Sequence, residues 1–444
     1  MRKILMGTTA VVGAALLSSG AFAQGTTAGT GSLAPGQGQG QSLTAAPAPS
    51  IAGAGGLSVR LGGFFEFSGA MIQDDGDRAR RFGARNTEAR SRYDFRNDME
   101  LQVFIDGRAA NGMQYGAVLE FQSDNVGTNG STVNFDEMYG FIRPQGIGTF
   151  YFGQEDSAAS LLIVRAPAAG ALGGDAVWDE FIDQTGFFDG SPYIASGIND
   201  GNDATKIGYL SPQFAGFDFG VSFAPNANEG EFGTEQRNRN TIENEISAAI
   251  RYRGTFGPVG FQAMVGGMWA DAPRNITNTA VFSGTERNRP QDVNAYFVGA
   301  QIAAYGFAFG GEYARGSYGG ASVGRRALND GLEDSWHYLI GATYTLGPVV
   351  FGAVYGQGEQ DNGTNAAGVA IADRKHTVWG LGAVYNLAPG LGLYVAYNNI
   401  QDENVPLTAP SNARFGGAGT TTFSQNGSTT RTINIGMAGI RLAF

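Results

Sequence analysis

The sequence predicts an all-β fold, a transmembrane antiparallel β-barrel of 16 strands. Three observations lead there. No stretch of about 18 apolar residues follows the first two dozen positions, so any membrane span has to be a strand. Apolar and polar residues alternate with a period of two along most of the chain. Short turns containing Gly and Pro alternate with long polar loops.

Composition points the same way. The chain has 444 residues with 70 Gly, 30 Phe and 17 Tyr, and only 16% of it is charged, which leaves too many glycines and aromatics for one soluble core. It has no Cys, which excludes a disulfide framework, a thiol nucleophile and a thiolate metal site.

At the N-terminus, Arg2-Lys3, the apolar run Ile4 to Leu17 and the small-residue site Ala21-Phe22-Ala23 have the three parts of a signal peptide. Residues 1–23 are therefore expected to direct export and be cleaved. Losing the two positive charges of Arg2 and Lys3 takes the formal net charge from −11 to −13. Residues 24–56 carry no charge and consist largely of Gly, Ala, Gln, Ser, Thr and Pro, a composition that cannot offset chain entropy by burial. This segment is expected to be a flexible periplasmic tail, and the barrel domain to occupy 57–444.

In the first strand, Leu57, Val59, Leu61, Phe65, Phe67 and Met71 share one parity while Arg60, Glu66 and Ser68 share the other. The same alternation appears in Tyr115/Ala117/Leu119/Phe121, Phe217/Phe219/Val221/Phe223, Trp336/Tyr338/Ile340/Ala342/Tyr344, Trp379/Leu381/Ala383/Tyr385 and Leu391/Leu393/Val395/Tyr397. Short turns are expected at 110–112, 144–148, 212–216, 254–260, 305–306, 347–348 and 388–390. Long loops are expected near 73–91, 123–132, 155–203, 226–241, 271–291, 316–334, 359–374 and 402–430. Seven turns and eight loops make sixteen strands. Outward Trp269, Tyr313, Trp336, Tyr355 and Trp379 suit an upper aromatic girdle, and Tyr252, Tyr344 and Tyr385 a lower one.

The chain closes Gly439-Ile440-Arg441-Leu442-Ala443-Phe444, which resembles the last strand of Gram-negative outer-membrane proteins. Asp136-Glu137-Met138-Tyr139-Gly140-Phe141 with Gly146-Ile147-Gly148-Thr149-Phe150-Tyr151-Phe152-Gly153-Gln154 resembles the fourth and fifth strands of general porins, especially the alphaproteobacterial kind. With Asp94 to Asp98 the resemblance spans about 57–444. It implies an outer-membrane diffusion channel for small hydrophilic solutes and ions, a homotrimer, surrounding lipid, and an assembly signal at Ile440, Leu442 and Phe444 read by the barrel-assembly machinery. Two departures stand out. Many general porins carry Arg where this chain has Gln154, and the parity of the last strand changes between Met437 and Ile440, as a bulge would require.

The resemblance also implies that the long third loop, 155–203, folds into the lumen as the constriction. The loop holds nine carboxylates, Glu155, Asp156, Asp175, Asp179, Glu180, Asp183, Asp189, Asp200 and Asp203, against one cation, Arg165. Trp178, Phe181, Phe187 and Phe188 are candidates to pack it against the wall. The inward parity of the second strand supplies Arg92, Asp94, Arg96, Asp98, Glu100 and Gln102, and the first strand adds Arg60 and Glu66. The expected constriction residues are Arg92, Arg96, Asp175, Asp179, Glu180 and Asp183, with Arg60, Glu66, Asp98 and Glu100 as further lumen residues. Acids on the loop facing arginines on the wall create a transverse field, and the acid excess favours cations weakly.

Two other channel or barrel functions stay open: a substrate-specific channel for a sugar or an anion, and a structural or adhesive barrel. An enzyme is not expected, because His337 and His376 are the only histidines and neither lies in a nucleophile motif. No cofactor, metal or nucleic-acid partner is expected. Loop carboxylates have the oxygen chemistry of calcium ligands, but no loop shows the spacing of a helix-loop-helix calcium site.

Overall fold

In the computed structural model the described residues are 51–52, 56–74, 92–124, 132–172, 178, 181, 204–226, 242–272, 291–318, 331–361, 370, 372–404 and 430–444. Sixteen long strands form one closed antiparallel sheet. They are β1 (Ser58–Asp74), β2 (Tyr93–Arg108), β3 (Gln114–Asp124), β4 (Thr132–Arg143), β5 (Thr149–Gln154), β6 (Thr205–Leu210), β7 (Phe217–Asn226) and β8 (Glu243–Phe256). The second half is β9 (Val259–Asp271), β10 (Val293–Ala304), β11 (Phe307–Gly316), β12 (Ser335–Leu346), β13 (Val349–Gln360), β14 (Arg374–Ala388), β15 (Leu391–Glu403) and β16 (Arg431–Ala443). Each strand pairs with the next, and β16 pairs with β1 from Ile433↔Asp74 to Ala443↔Phe64, which closes the ring. Closure leaves no unpaired edge in a lipid phase that offers no hydrogen bonds. A two-residue strand, Ile51–Ala52, pairs with the start of β1.

The expected turns and loops fall between these strands. One turn is tighter than the sequence suggests: β8 runs to Phe256 and β9 restarts at Val259, so the 254–260 segment turns only at Gly257-Pro258. Gly257 adopts φ 61°, a left-handed conformation that a side chain would strain. A register shift between Leu119 and Phe121 marks a bulge opposite Asp136 and Glu137, and it lets Phe135 face outward beside Phe121 while Glu137 keeps the inner face with Glu120.

One face of the sheet carries the large exposed apolar side chains. Phe65, Phe67, Phe95, Phe219, Ile250, Phe307, Leu381 and Val395 belong to it, with Phe95 73% exposed. Such a surface is costly in water and is what the hydrocarbon of a bilayer accepts. Aromatics gather at two levels of this face. Trp336, Tyr338 and Tyr355 adjoin one another near the loop ends, with centroids 6.1 and 6.3 Å apart, and Trp379 meets Tyr397 at 5.4 Å. Near the turns, Phe307 stacks on Tyr344 at 4.3 Å and Phe217 meets Tyr252 at 4.9 Å. Trp379 and Tyr385 are six residues apart on β14, about 20 Å along the strand, which approaches the ~25 Å height of a barrel's apolar band.

The last strand corrects the expectation of a bulge. β16 pairs with β15 and with β1 without any register shift. Ile433, Ile435 and Met437 are apolar yet lie on the inner parity, fully or nearly buried, while Ile440, Leu442 and Phe444 point outward and are exposed. The apparent change of parity arises because the upper inner face of this strand is itself apolar. Among the described residues no helix is long and apolar enough to cross a membrane.

Candidate functional site

The other face of the sheet, opposite the exposed apolar band, receives the segment that follows β5. Ser157 caps a one-turn helix, α1 (Ala158–Leu161), by accepting from Ser160 N at 3.3 Å. The wall satisfies two more free donors of that turn: Ala158 N donates to Ser222 Oγ of β7 (2.9 Å) and Ala159 N to Ser247 Oγ of β8 (3.1 Å). The chain then runs along the wall. A β-carbon on Gly299 of β10 would come within 2.0 Å of Val164 O, and one on Gly341 of β12 within 2.1 Å of Pro167 O. Backbone therefore sits directly on backbone, which only glycine permits. Further on, Asn398 Nδ2 of β15 donates to Ala171 O at 2.7 Å.

Apolar packing holds the same path. Leu162, Ile163 and Val164 join Ala249, Met264, Met268 and Phe297 in one cluster. Leu172, Trp178 and Phe181 join Ile72, Val354, Ile400, Ile433, Ile435 and Met437 in another. Burying a side chain the size of Leu172 or Phe181 contributes about 1.5–3 kcal/mol, so these anchors offset a large part of the cost of ordering the segment, and the hydrogen bonds to Ser222, Ser247 and Asn398 add to them. Ile433, Ile435 and Met437 thus share one buried apolar cluster with Trp178 and Phe181.

The charges of this face are largely paired on the arginine side. Arg60 bridges Asp106 (3.0 Å), Arg251 and Arg253 both bridge Asp218 (2.8 and 2.6 Å), and Arg441 reaches Glu66 (3.6 Å) while its guanidinium lies 4.0 Å from the centroid of the Phe64 ring. Arg374 holds Asp402 through two bonds, of 2.8 and 2.5 Å, and Arg431 holds Asp74 in the same bidentate way. Asp402 and Arg431 are direct cross-strand partners, so Arg374, Asp402, Arg431 and Asp74 form one alternating ladder across β14, β15, β16 and β1. Carboxylates gather on β2 to β4 with amides and other acids around them. Gln102 Nε2 donates to Glu100 Oε1 (2.6 Å) and to Glu120 Oε2 (2.9 Å), and Glu137 lies on the neighbouring strand. Burial pushes the Glu155 carboxyl well above the usual carboxylate range, Asp156 adds to this and the Lys206 ammonium opposes it. Lys206 Nζ donates to the Glu155 carbonyl.

A family model described as Gram-negative porin matches residues 7–405. The chain belongs to that family. The porin also shares its fold with solved structures at low identity. The outer membrane channel DcaP of Acinetobacter baumannii superposes with a TM-score of 0.54 at 12% identity, over 89% of this chain and 99% of that one. An anion-selective porin from Comamonas acidovorans does so with 0.53 at 18% identity, over 87% and 100%. OmpT of Vibrio cholerae in a trimer form gives 0.50 at 14%, over 87% and 99%. No curated protein matches the chain in sequence. The porin is an outer-membrane channel protein.

The porin places its sequence-expected residues unevenly. Arg60, Glu66, Arg96, Asp98 and Glu100 lie on the inner face, as parity requires. Arg96 and Asp98 are buried on that face. Arg92 sits just beyond the first residue of β2, exposed, where its carbonyl accepts from Ile72 N at 2.8 Å. Asp175, Asp179, Glu180 and Asp183 lie outside the described residues, as do Phe187 and Phe188. Glu120 and Glu137 were missed by the sequence reading, although the alternation of β3 that puts Leu119 and Phe121 outward also puts Glu120 inward. His337 is buried and its Nδ1 shares a 2.7 Å hydrogen bond with Tyr318 OH. Among the described residues no group of three or more His, Asp or Glu side chains is arranged to hold a metal ion.

Proposed function

We propose that this porin is a water-filled channel for passive diffusion of small hydrophilic solutes and ions, that the docked segment 155–172 narrows its lumen, and that it prefers cations weakly. One observation carries the preference. On the inner face most arginines are tied to carboxylates, whereas Glu100 and Glu120 of β2 and β3 share an amide donor instead of a guanidinium. The carboxyl groups of β2 and β3 thus have an amide where the other acids have a guanidinium, and the charge that the pair retains favours cations in a water-filled passage. The test is the reversal potential of planar bilayers in a potassium chloride gradient. Wild type should show cation preference, and Glu100→Gln with Glu120→Gln should lower the potassium-to-chloride ratio by about twofold, as expected for charges screened over about 10 Å at 0.1 M salt. Anion preference in the wild type would reject the sign. It would also favour the second reading, an anion-selective channel, which the Comamonas porin exemplifies on the same fold.

Export through a cleaved leader at 1–23 and assembly as a homotrimer belong to the same proposal. What supports the trimer is the trimer form of OmpT and an apolar recess on the outer face, where Phe67, Gly69 and Met71 of β1, Phe95 of β2 and Gly436 and Ala438 of β16 meet. Native mass measurement in mild detergent should give three chains per particle; a single-chain mass would reject it.

A further inference from the structure

The docked segment lies along β7 to β15, from the hydrogen bonds at Ser222 and Ser247 to the one at Asn398. The turn-side ends of β2 to β4, on the rest of the ring, carry a different surface. Arg108, Gln114 and Arg143 are direct cross-strand partners on the inner parity and form one row at the foot of the wall. Arg60 of β1 lies beside them, bonded through Nε (3.3 Å) and Nη2 (3.0 Å) to Asp106 of β2. Three arginines against one carboxylate leave two positive charges in excess. Among the described residues neither Arg108 nor Arg143 forms a salt bridge; Asp106 attracts Arg143 but is bonded to Arg60.

Each member of the row is held in place. Arg143 Nε donates to Thr149 Oγ1 of β5 (2.9 Å) and Nη1 to Gln114 Oε1 (3.3 Å), while the guanidinium lies 5.3 Å from the centroid of the Phe141 ring. Arg60 lies over Phe104 in the same way, at 5.0 Å. Phe104 and Phe141 belong to the buried cluster against which Leu161 packs. The two guanidiniums therefore rest on an apolar layer, which fixes their planes and leaves the remaining N–H groups for a ligand. Because Gln114 Oε1 already accepts, its amide offers Nε2, a donor. Arg108 is exposed, and its Nε donates to Gly112 O at 3.5 Å across a hairpin closed by Ala109 N to Met113 O at 2.8 Å. Toward water the row thus offers N–H donors and positive charge.

We propose that Arg108, Gln114 and Arg143 form a binding site for a small oxyanion carrying two negative charges, a phosphate or a dicarboxylate, at the turn-side mouth of the lumen. Guanidinium forks match the oxygen spacing of both ligands and bind them bidentately. Arg108 and Arg143 stand two strands apart, about 10 Å between Cα atoms, so their long side chains can converge on one such ion. Glu100 lies eight residues up β2 from Arg108, about 25 Å along the strand and well beyond the ~10 Å over which charges act in 0.1 M salt. The site is therefore separate from the carboxyl groups that bear on ion preference.

Arginine labelling by phenylglyoxal, read peptide by peptide on the folded protein in detergent, tests the site. Arg108 and Arg143 should react, and millimolar inorganic phosphate or malonate should protect both, while potassium chloride of equal ionic strength should not. The buried, paired Arg374 should stay unlabelled throughout, and Arg315, 61% exposed at the loop end, should react equally in every condition. Arg108→Gln changes an exposed residue and leaves the barrel intact. It should raise the phosphate or malonate concentration that half-protects Arg143 about fivefold, as for one charge-assisted pair lost at a solvated site. The anion that protects at the lower concentration identifies which of the two chemistries the site takes. An Arg143 that never reacts, protection no better than chloride gives, or unchanged half-protection in Arg108→Gln overturns the proposal. Labelling needs no conductance, so failure of the channel reading looks different: a chain that inserts without conducting, or that prefers anions, rejects that reading or its sign and leaves the binding result as it is.

Discussion

Gly341→Val should open the channel wider while leaving the barrel assembled. The backbone of Gly341 is ordinary extended strand and accepts any L side chain, and valine is a good strand residue, so β12 itself has no reason to fail. The new Cβ, however, would sit 2.1 Å from the Pro167 carbonyl, a backbone atom that cannot rotate away. Something has to move, and the segment 164–172 is held mainly by side-chain contacts while β12 is held by a full ladder on both sides. The segment is expected to lift off at a cost of about 1–3 kcal/mol, as for overpacking of a well-filled core. Single-channel conductance should rise, and the chain between β5 and β6 should become sensitive to protease. Gly392→Ala is the control, because the nearest atom to a Cβ there is 3.7 Å away, an ordinary contact. Unchanged conductance in Gly341→Val, with the protease pattern of wild type, would show that the docked segment does not narrow the pore.

Arg431→Ala should be the most destabilising single substitution in the upper barrel. Arg431 and Asp74 are both 1% exposed at their side chains and joined by two bonds across the β16–β1 seam that closes the ring. Removing the guanidinium takes a bidentate counter-charge away from the buried carboxylate at Asp74 and takes Arg431 out of the ladder beside Asp402. Breaking a buried pair on one side costs about 3–5 kcal/mol. Thermal unfolding followed by circular dichroism, or by the loss of the folded band on unheated gels, should show a clearly lowered transition. Replacing both partners, Arg431→Met with Asp74→Leu, should recover most of the loss, because it removes the uncompensated charge together with its partner. A single Arg431→Ala that melts like wild type would mean that water or another group reaches Asp74.

The strand pattern was legible because it is local. In Trp336, Tyr338, Ile340, Ala342 and Tyr344 the outward residues can be named from spacing alone, and β12 places each of them so. Turns such as Gly347-Pro348 were equally plain. Legibility failed where an inner position serves another segment instead of water. Ile433, Ile435 and Met437 read as a shifted register, since nothing nearby in sequence reveals that they join one buried cluster with Trp178 and Phe181. The charges failed for a similar reason. Arg96 and Arg165 are both arginines on inward-facing elements, yet the first is buried and the second half-buried.

What the sequence determined by itself is therefore the membrane strands, their number, their facing and their connections, because the pleat gives every second side chain to the same side and lipid accepts only apolar ones. Only the tertiary structure decided which charge meets which. Arg431 finds Asp74 across 357 positions of chain, and Val164 and Pro167 come to lie against Gly299 and Gly341, because ring closure and the path of the docked segment bring distant residues to one level. Such pairings depend on register summed around the whole barrel, a quantity that no local pattern contains.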